Sequence, residues 1–109
     1  MIAKENIQDF VDKVADQFHP ERVVLFGSYA YGHPGDDSDV DLLVVMPHDG
    51  PAALQAALIR QTVRAGFPLD LIVRSPETIR QRLAMGDFFV EDILAQGRIL
   101  YETDHTRVG

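Results

Sequence analysis

The sequence predicts an α+β protein, a small mixed β-sheet packed with helices in a two-layer arrangement, and three observations carry that prediction. Ile7, Phe10, Val11, Val14, Ala15 and Phe18 recur at helical spacing, the apolar stripe of an amphipathic helix. Three apolar runs rich in β-branched residues, at 22–26, 40–46 and 69–73, are separated by glycine-punctuated or helix-patterned stretches. The 109 residues contain no cysteine, so a disulfide framework, a thiolate metal site and a cysteine nucleophile are all excluded. A chain of this size can bury about 60–70% of its unfolded surface and needs no such staple.

Each element has its own local reason. The first helix ends at His19-Pro20, because proline cannot continue it. Arg22 to Phe26 reads as a short buried strand stopped by Gly27. A loop containing Gly32, Pro34 and Gly35 leads into the acidic run, and Val40 to Met46 is the strongest strand pattern in the chain, closed by Pro47. Gly50-Pro51 suits the start of a helix that extends to about Ala65, before Gly66. Leu69 to Val73 is a third strand. Ser75-Pro76-Glu77 supplies an N-cap, a first-turn proline and a dipole-matched acid for another helix. Asp87 caps a further helix with Val90, Ile93 and Leu94 on its apolar face, ending at Gly97, and Arg98 to Tyr101 form a last strand. No repeat or linker divides the chain, so residues 1–109 are expected to form one domain, with 103–109 as a flexible tail.

Composition narrows the function. Ten Lys and Arg against 17 Asp and Glu give a formal charge of −7, which argues against a nucleic-acid-coating protein. No apolar run approaches the ~18–20 residues of a membrane span, and the N-terminus lacks a signal-peptide core. A cytoplasmic location without membrane association is therefore expected. The charge is uneven: residues 1–59 carry −7, 60–82 carry +3 and 83–109 carry −3. Asp36, Asp37, Asp39 and Asp41 lie within six residues. Like charges repel by about 4 kcal/mol per pair at ~4 Å under an effective dielectric near 20, so the cluster needs a reason.

Asp39 and Asp41 are two apart at the start of a strand and so share a face, which Leu43 and Val45 continue as apolar. The carboxylates therefore mark the end of the sheet. Asp70 interrupts the otherwise apolar run Leu69 to Val73, where a buried unpaired charge would be costly. Three aspartates converging at one sheet end suit hard divalent cations. Two Mg²⁺ ions about 3.5–4 Å apart would clamp a phosphoryl-transfer transition state. Plainer readings stand beside this one. Asp36 and Asp37 read as a solvated turn, Ser38 or Asp39 as local backbone caps, and Asp70 taken alone as an edge residue facing water. An EF-hand loop starting at Asp37 fails where Leu42 replaces its glycine and His48 its bidentate glutamate.

Gly27-Ser28 follows the first strand and opens a helical turn, a setting in which close backbone approach, free amides and a hydroxyl suit a phosphate. It is no Walker A loop, because the only lysines, Lys4 and Lys13, do not follow a glycine. His19, His33, His48 and His105 lack ligand spacing and read as surface residues, and Ser28 has no placed base for a catalytic triad.

Gly27-Ser28-Tyr29-Ala30-Tyr31-Gly32 followed by Ser38-Asp39-Val40-Asp41-Leu42 resembles the GSxAxG…SDxDL signature of the minimal nucleotidyltransferases, small relatives of the DNA polymerase beta superfamily. The resemblance extends over about residues 5–102, through Leu69 to Val73 and Ile93 to Glu102. It implies the polymerase-beta-like nucleotidyltransferase fold and roles for five residues. Gly27 and Ser28 would grip the triphosphate of ATP. Asp39 and Asp41 would bind Mg²⁺, and Asp70 would complete the metal site and help activate the acceptor hydroxyl. One departure is Tyr31, where many members carry an arginine; Arg22, Arg60, Arg64 and Arg74 are the candidates to replace that charge.

Minimal nucleotidyltransferases are commonly encoded beside a HEPN-domain protein, and in toxin–antitoxin pairs they adenylylate a tyrosine of that HEPN toxin. The resemblance thus implies an antitoxin that transfers AMP to a partner protein and forms a hetero-oligomer with it, with no direct nucleic-acid binding. The chain's length leaves no room for a separate acceptor-holding domain, and its +3 stretch offers either a docking face for an acidic partner or solvated helix surface. Two rivals remain: a catalytically weak module that neutralises a HEPN partner by binding alone, and an adenylyltransferase acting on a small molecule such as an aminoglycoside.

Overall fold

Local sequence signals set most element boundaries in the computed structural model, which describes residues 1–103. Helix α1 spans Lys4–Phe18 and buries Ile7, Phe10, Val11, Val14 and Ala15, five of the six stripe residues. It stops at His19, whose left-handed conformation (φ 50°) returns its amide to the Ala15 carbonyl just before Pro20. Strand β1, Arg22–Phe26, is followed by the single turn α2, Ser28–Tyr31, and then by β2, Val40–Val45. Helix α3 covers Ala52–Thr62, three residues short of the expected end, because Val63 is already extended (φ −121°) and tucks into the core. Strand β3 is Leu69–Arg74, α4 is Pro76–Ala84, α5 is Phe88–Gln96 and β4 is Arg98–Glu102. Both expected caps are made: Ser75 Oγ accepts from the Thr78 amide, and Asp87 Oδ1 accepts from the Phe89 and Val90 amides. Thr103, the first residue of the expected tail, donates its amide to the Glu21 carbonyl; the rest of that segment, 104–109, lies outside the described residues.

The strands form one mixed sheet in the order β3-β2-β1-β4. Strand β1 pairs antiparallel with both β2 and β4, while β2 pairs in parallel with β3. A parallel return requires a crossover, and α3 supplies it. Helices lie on both faces of the sheet, one layer more than the two-layer arrangement expected. Val23, Leu25, Val40, Leu42, Val44, Leu71 and Val73 pack with α1, α2 and α3 on one face. Val24, Phe26, Leu43 and Val45 pack with Ile79, Val90 and Ile93 of α4 and α5 on the other. This is why β2 reads as a nearly unbroken apolar run instead of alternating: both of its faces are covered. The hand-over from α5 to β4 is tight, since a Cβ on Gly97 would meet the Leu25 carbonyl at 2.9 Å and the Val24 side chain at 2.7 Å.

The central position of β2 makes it the most sensitive element. Leu42 is fully buried in the core cluster that also holds the apolar residues of α1 and α3, so Leu42→Ala should lower the unfolding free energy by about 2–5 kcal/mol in a denaturant titration. Leu54→Ala, at an exposed position of α3, should change it by less than about 0.5 kcal/mol.

Candidate active site

Strand pairing alone gathers the candidate carboxylates. The parallel register sets Asp41 of β2 beside Asp70 of β3, and the antiparallel register sets Asp41 opposite Phe26, the last residue of β1. Side chains alternate along a strand, so Asp39, Asp41 and Asp70 all belong to the face covered by α4 and α5. They lie at the edge of that face, where its apolar core ends. Asp39 and Asp70 are exposed and Asp41 is half-buried. Ser38 sets the approach to β2: its Oγ accepts from the Gly35 amide at 2.8 Å, and its own amide donates to the Gly35 carbonyl. Asp36 and Asp37, inside that turn, are exposed, in keeping with the solvated-turn reading.

Gly27 is fixed by two independent constraints. Its backbone (φ 73°, ψ −157°) lies in a region essentially reserved for glycine. A Cβ there would also collide with Oδ2 of Asp41 and sit 3.1 Å from its Cγ. The glycine that follows β1 therefore exists where the Asp41 carboxylate passes against the main chain. Beyond it, Gly27 accepts from the Ala30 and Tyr31 amides to close α2, and Ser28 is the first residue of that turn. Gly27 and the turn that Ser28 begins thus stand next to Asp41.

The carboxylates are in electrostatic tension. Partial burial raises the Asp41 carboxyl above the usual carboxylate range, and the neighbouring charges of Asp70 and Asp39 raise it further. A hydrogen bond shared with Asp70 acts in the same direction. Oxygen-only donors that repel one another fit a hard divalent cation, which would supply the missing positive charge. Among the described residues, no group of three His, Asp or Glu side chains is already gathered into a metal cage. The fit rests on the chemistry of the donor set and the mutual repulsion of its members.

Of the arginines considered as replacements for the charge missing at Tyr31, Arg22 and Arg74 sit at the opposite end of the sheet, both beside Val45 in the register. Arg22 pairs there with Glu102 at 2.9 Å. Arg60 instead donates to the carbonyl of Leu69, one residue before Asp70, at 2.9 Å, and it shares the walls of one cavity with Arg64. Sequence reading missed the neighbours contributed by α5. Tyr31 Oη donates to Asp92 Oδ2 at 2.9 Å, a bond that raises the phenol above its usual range. Phe89 meets the Phe26 ring edge-on, with centroids 5.8 Å apart. The adjacent pair Phe88-Phe89 at a capped helix start was the available signal.

A small mixed sheet that sets acidic strand ends beside a glycine-serine turn defines a nucleotidyltransferase-type domain. The chain belongs to the nucleotidyltransferase domain family, whose model matches residues 7–100, and it is a nucleotidyltransferase. It is 27% identical over 103 residues to the Methanocaldococcus jannaschii protein described as "Putative protein adenylyltransferase MJ0604", a match covering 93% of this chain and all of that one. Solved structures share the fold. A "putative nucleotidyltransferase" from Sulfolobus solfataricus superposes with a TM-score of 0.63 at 21% identity, over 93% of this chain and 81% of that one. A toxin–antitoxin complex with AMP-PNP gives 0.52 at 20% identity, over 91% and 76%. A mutant MntA-HpeT toxin–antitoxin complex gives 0.51 at 17%, over 91% and 75%.

The tension at Asp41 predicts an inverted stability effect. A carboxyl whose folded pKa is raised contributes stability only below its unfolded pKa and loses it as pH rises through the folded value. At neutral pH without divalent cations, Asp41→Asn should therefore melt higher than the wild type, and the gap should narrow as pH falls through the carboxylate range. Differential scanning calorimetry across that range checks it. Gly27→Ala should melt lower than the wild type at every pH, because its clash with Asp41 and its backbone strain do not titrate.

Proposed function

We propose that this chain is a Mg²⁺-dependent protein adenylyltransferase that moves AMP from ATP to a partner's hydroxyl, a tyrosine of a HEPN-domain toxin, and so acts as an antitoxin in the cytoplasm. The observation that carries the reading is the register pairing of Asp41 with Asp70 beside Gly27, at one end of the sheet. The adenylyltransferase description of the M. jannaschii relative and the toxin–antitoxin setting of two fold neighbours support the acceptor class. Among the described residues no helix is long and apolar enough to cross a membrane, which suits a partner met in solution.

Roles follow from placement. Gly27 opens the turn whose main-chain amides would meet a triphosphate beside Asp41, and Ser28 adds a hydroxyl there. Asp39, Asp41 and Asp70 would hold two Mg²⁺ ions, which when bound stabilise negative charge on the attacking and leaving oxygens. The acceptor oxygen bonds to the α-phosphorus, the bond to the β-phosphate oxygen breaks, and pyrophosphate leaves. Asp70, at the exposed edge of the trio, takes the acceptor's proton. Asp41, by contrast, is half-buried against the turn and serves as the fixed ligand at the centre.

Tyr31 gives a specific reason to keep a second reading. Its hydroxyl is engaged by Asp92 and brings no positive charge to the phosphates, which suits a module that neutralises its partner by binding without transfer. The two readings separate in one assay. With α-labelled ATP, Mg²⁺ and a co-expressed HEPN partner, label should pass to the partner, and Asp39→Asn, Asp41→Asn and Asp70→Asn should each reduce transfer by about 100-fold or more. An unlabelled partner whose toxicity is still suppressed by Asp39→Asn would establish the binding-only module.

A further inference from the structure

The turn between α4 and α5 leaves large apolar side chains in solvent. Met85 is 77% exposed, Phe88 84% and Phe89 55%. Isolated exposed apolar residues need no explanation, but an aromatic and methionine group of this kind is the composition of an interface core. The group is also held in place. Asp87 caps the start of α5 with two hydrogen bonds, and the Phe89 ring is seated on Phe26. Phe26 in turn stands directly opposite Asp41 in the β1–β2 register. The patch is therefore continuous with the carboxylate end of the sheet through a single side chain.

Its charge indicates the occupant. Phe88, Phe89, Glu91, Asp92 and Ala95 line an open depression of about 540 Å³ whose only charged walls are acidic. The arginine at this turn, Arg82, is engaged by Asp87 at 3.4 Å. A second copy packed patch to patch across a two-fold axis would bring Glu91 and Asp92 against their own counterparts, and a nucleic acid would bring phosphates; both are repelled. A basic protein surface is attracted instead.

We propose that Met85, Phe88 and Phe89 form the docking surface for the protein acceptor, which meets them with an apolar face bordered by lysine or arginine and so presents its hydroxyl to the adjoining carboxylates. The proposal rests on the reading that the acceptor is a protein. It adds where that protein binds and what chemistry its face carries.

The test uses the full chain and, as the acceptor, the product of the gene adjacent to its own. Binding is measured by calorimetry at low and high salt, and AMP transfer from α-labelled ATP is followed in parallel. Phe88→Ser and Met85→Ser, both at highly exposed positions, should each weaken binding at least tenfold, and the wild-type complex should weaken as salt rises. The thermal shift produced by ATP and Mg²⁺ should remain as in the wild type. A control pair on the opposite face, Leu54→Ser and Leu58→Ser, should bind within twofold of the wild type. A wild-type complex that forms without AMP transfer, and is weakened by Phe88→Ser, supports the surface while overturning the proposed reaction. The docking proposal is overturned by unchanged binding in both patch variants, or by an equal loss in the α3 control. A chain that dimerises alone through Phe88, or a wild-type chain that forms no complex with the neighbouring product, overturns it as well.

Discussion

The close passage of the Asp41 carboxylate over the main chain at Gly27 is the constraint around which this site is organised. Any side chain at position 27 would occupy the space that Asp41 already fills, and the backbone there takes a conformation that side chains resist. That one contact ties the end of β1 to the start of β2. It places the serine turn beside the central carboxylate. Strand pairing does the rest, because β3 returns parallel to β2 in a register that puts Asp70 at the side of Asp41. Residues separated by 29 positions in the chain become neighbours without any loop having to be shaped for the purpose.

Such an arrangement opposes the chain's own stability. Burial and two neighbouring carboxylates all favour the protonated form of Asp41, so the ionised site is held together by the apolar sheet beneath it and not by its own contacts. Leu43 and Val45 on the same strand face, with Val24 and Phe26 beside them, are the scaffold that keeps like charges in register. A site that repels itself has an unmet affinity for positive charge. The formal charge of −7 is thus concentrated where it has chemical consequences, with four of the acids at or just before the start of β2.

Much of this was legible in the sequence, and what was legible follows from local physics. The helical stripe from Ile7 to Phe18, the caps at Ser75 and Asp87, and the apolar runs of β1, β2 and β3 each depend on near neighbours, and each formed within a few residues of expectation. Asp39, Asp41, Gly27 and Ser28 could be singled out because they border strands, where an acid or a glycine has few structural excuses. Covering of both sheet faces was not legible, since the pattern of α4 and α5 says that they bury a face and not which one. Nor was the role of Tyr31: a sequence shows that an arginine is missing but not that the phenol reaches Asp92, 61 residues away.

That bond connects the two halves of the proposed function. Tyr31 ends the turn that Gly27 and Ser28 begin, and Asp92 belongs to the helix that carries Phe88 and Phe89. The turn expected to touch the nucleotide and the helix expected to meet the acceptor are therefore joined by Tyr31 Oη and Asp92 Oδ2, while the Phe26–Phe89 contact joins that helix to the end of β1. An arginine at position 31 would be free to serve the phosphates. A tyrosine brings no such charge, and of the arginines considered in its place Arg60 is the one anchored beside Asp70, on the Leu69 carbonyl. The exchange of a charge for a brace adds a polar tie to the apolar packing of Val90 and Ile93 that already seats α5 on the sheet, and it fixes the exposed side of α5 against the turn.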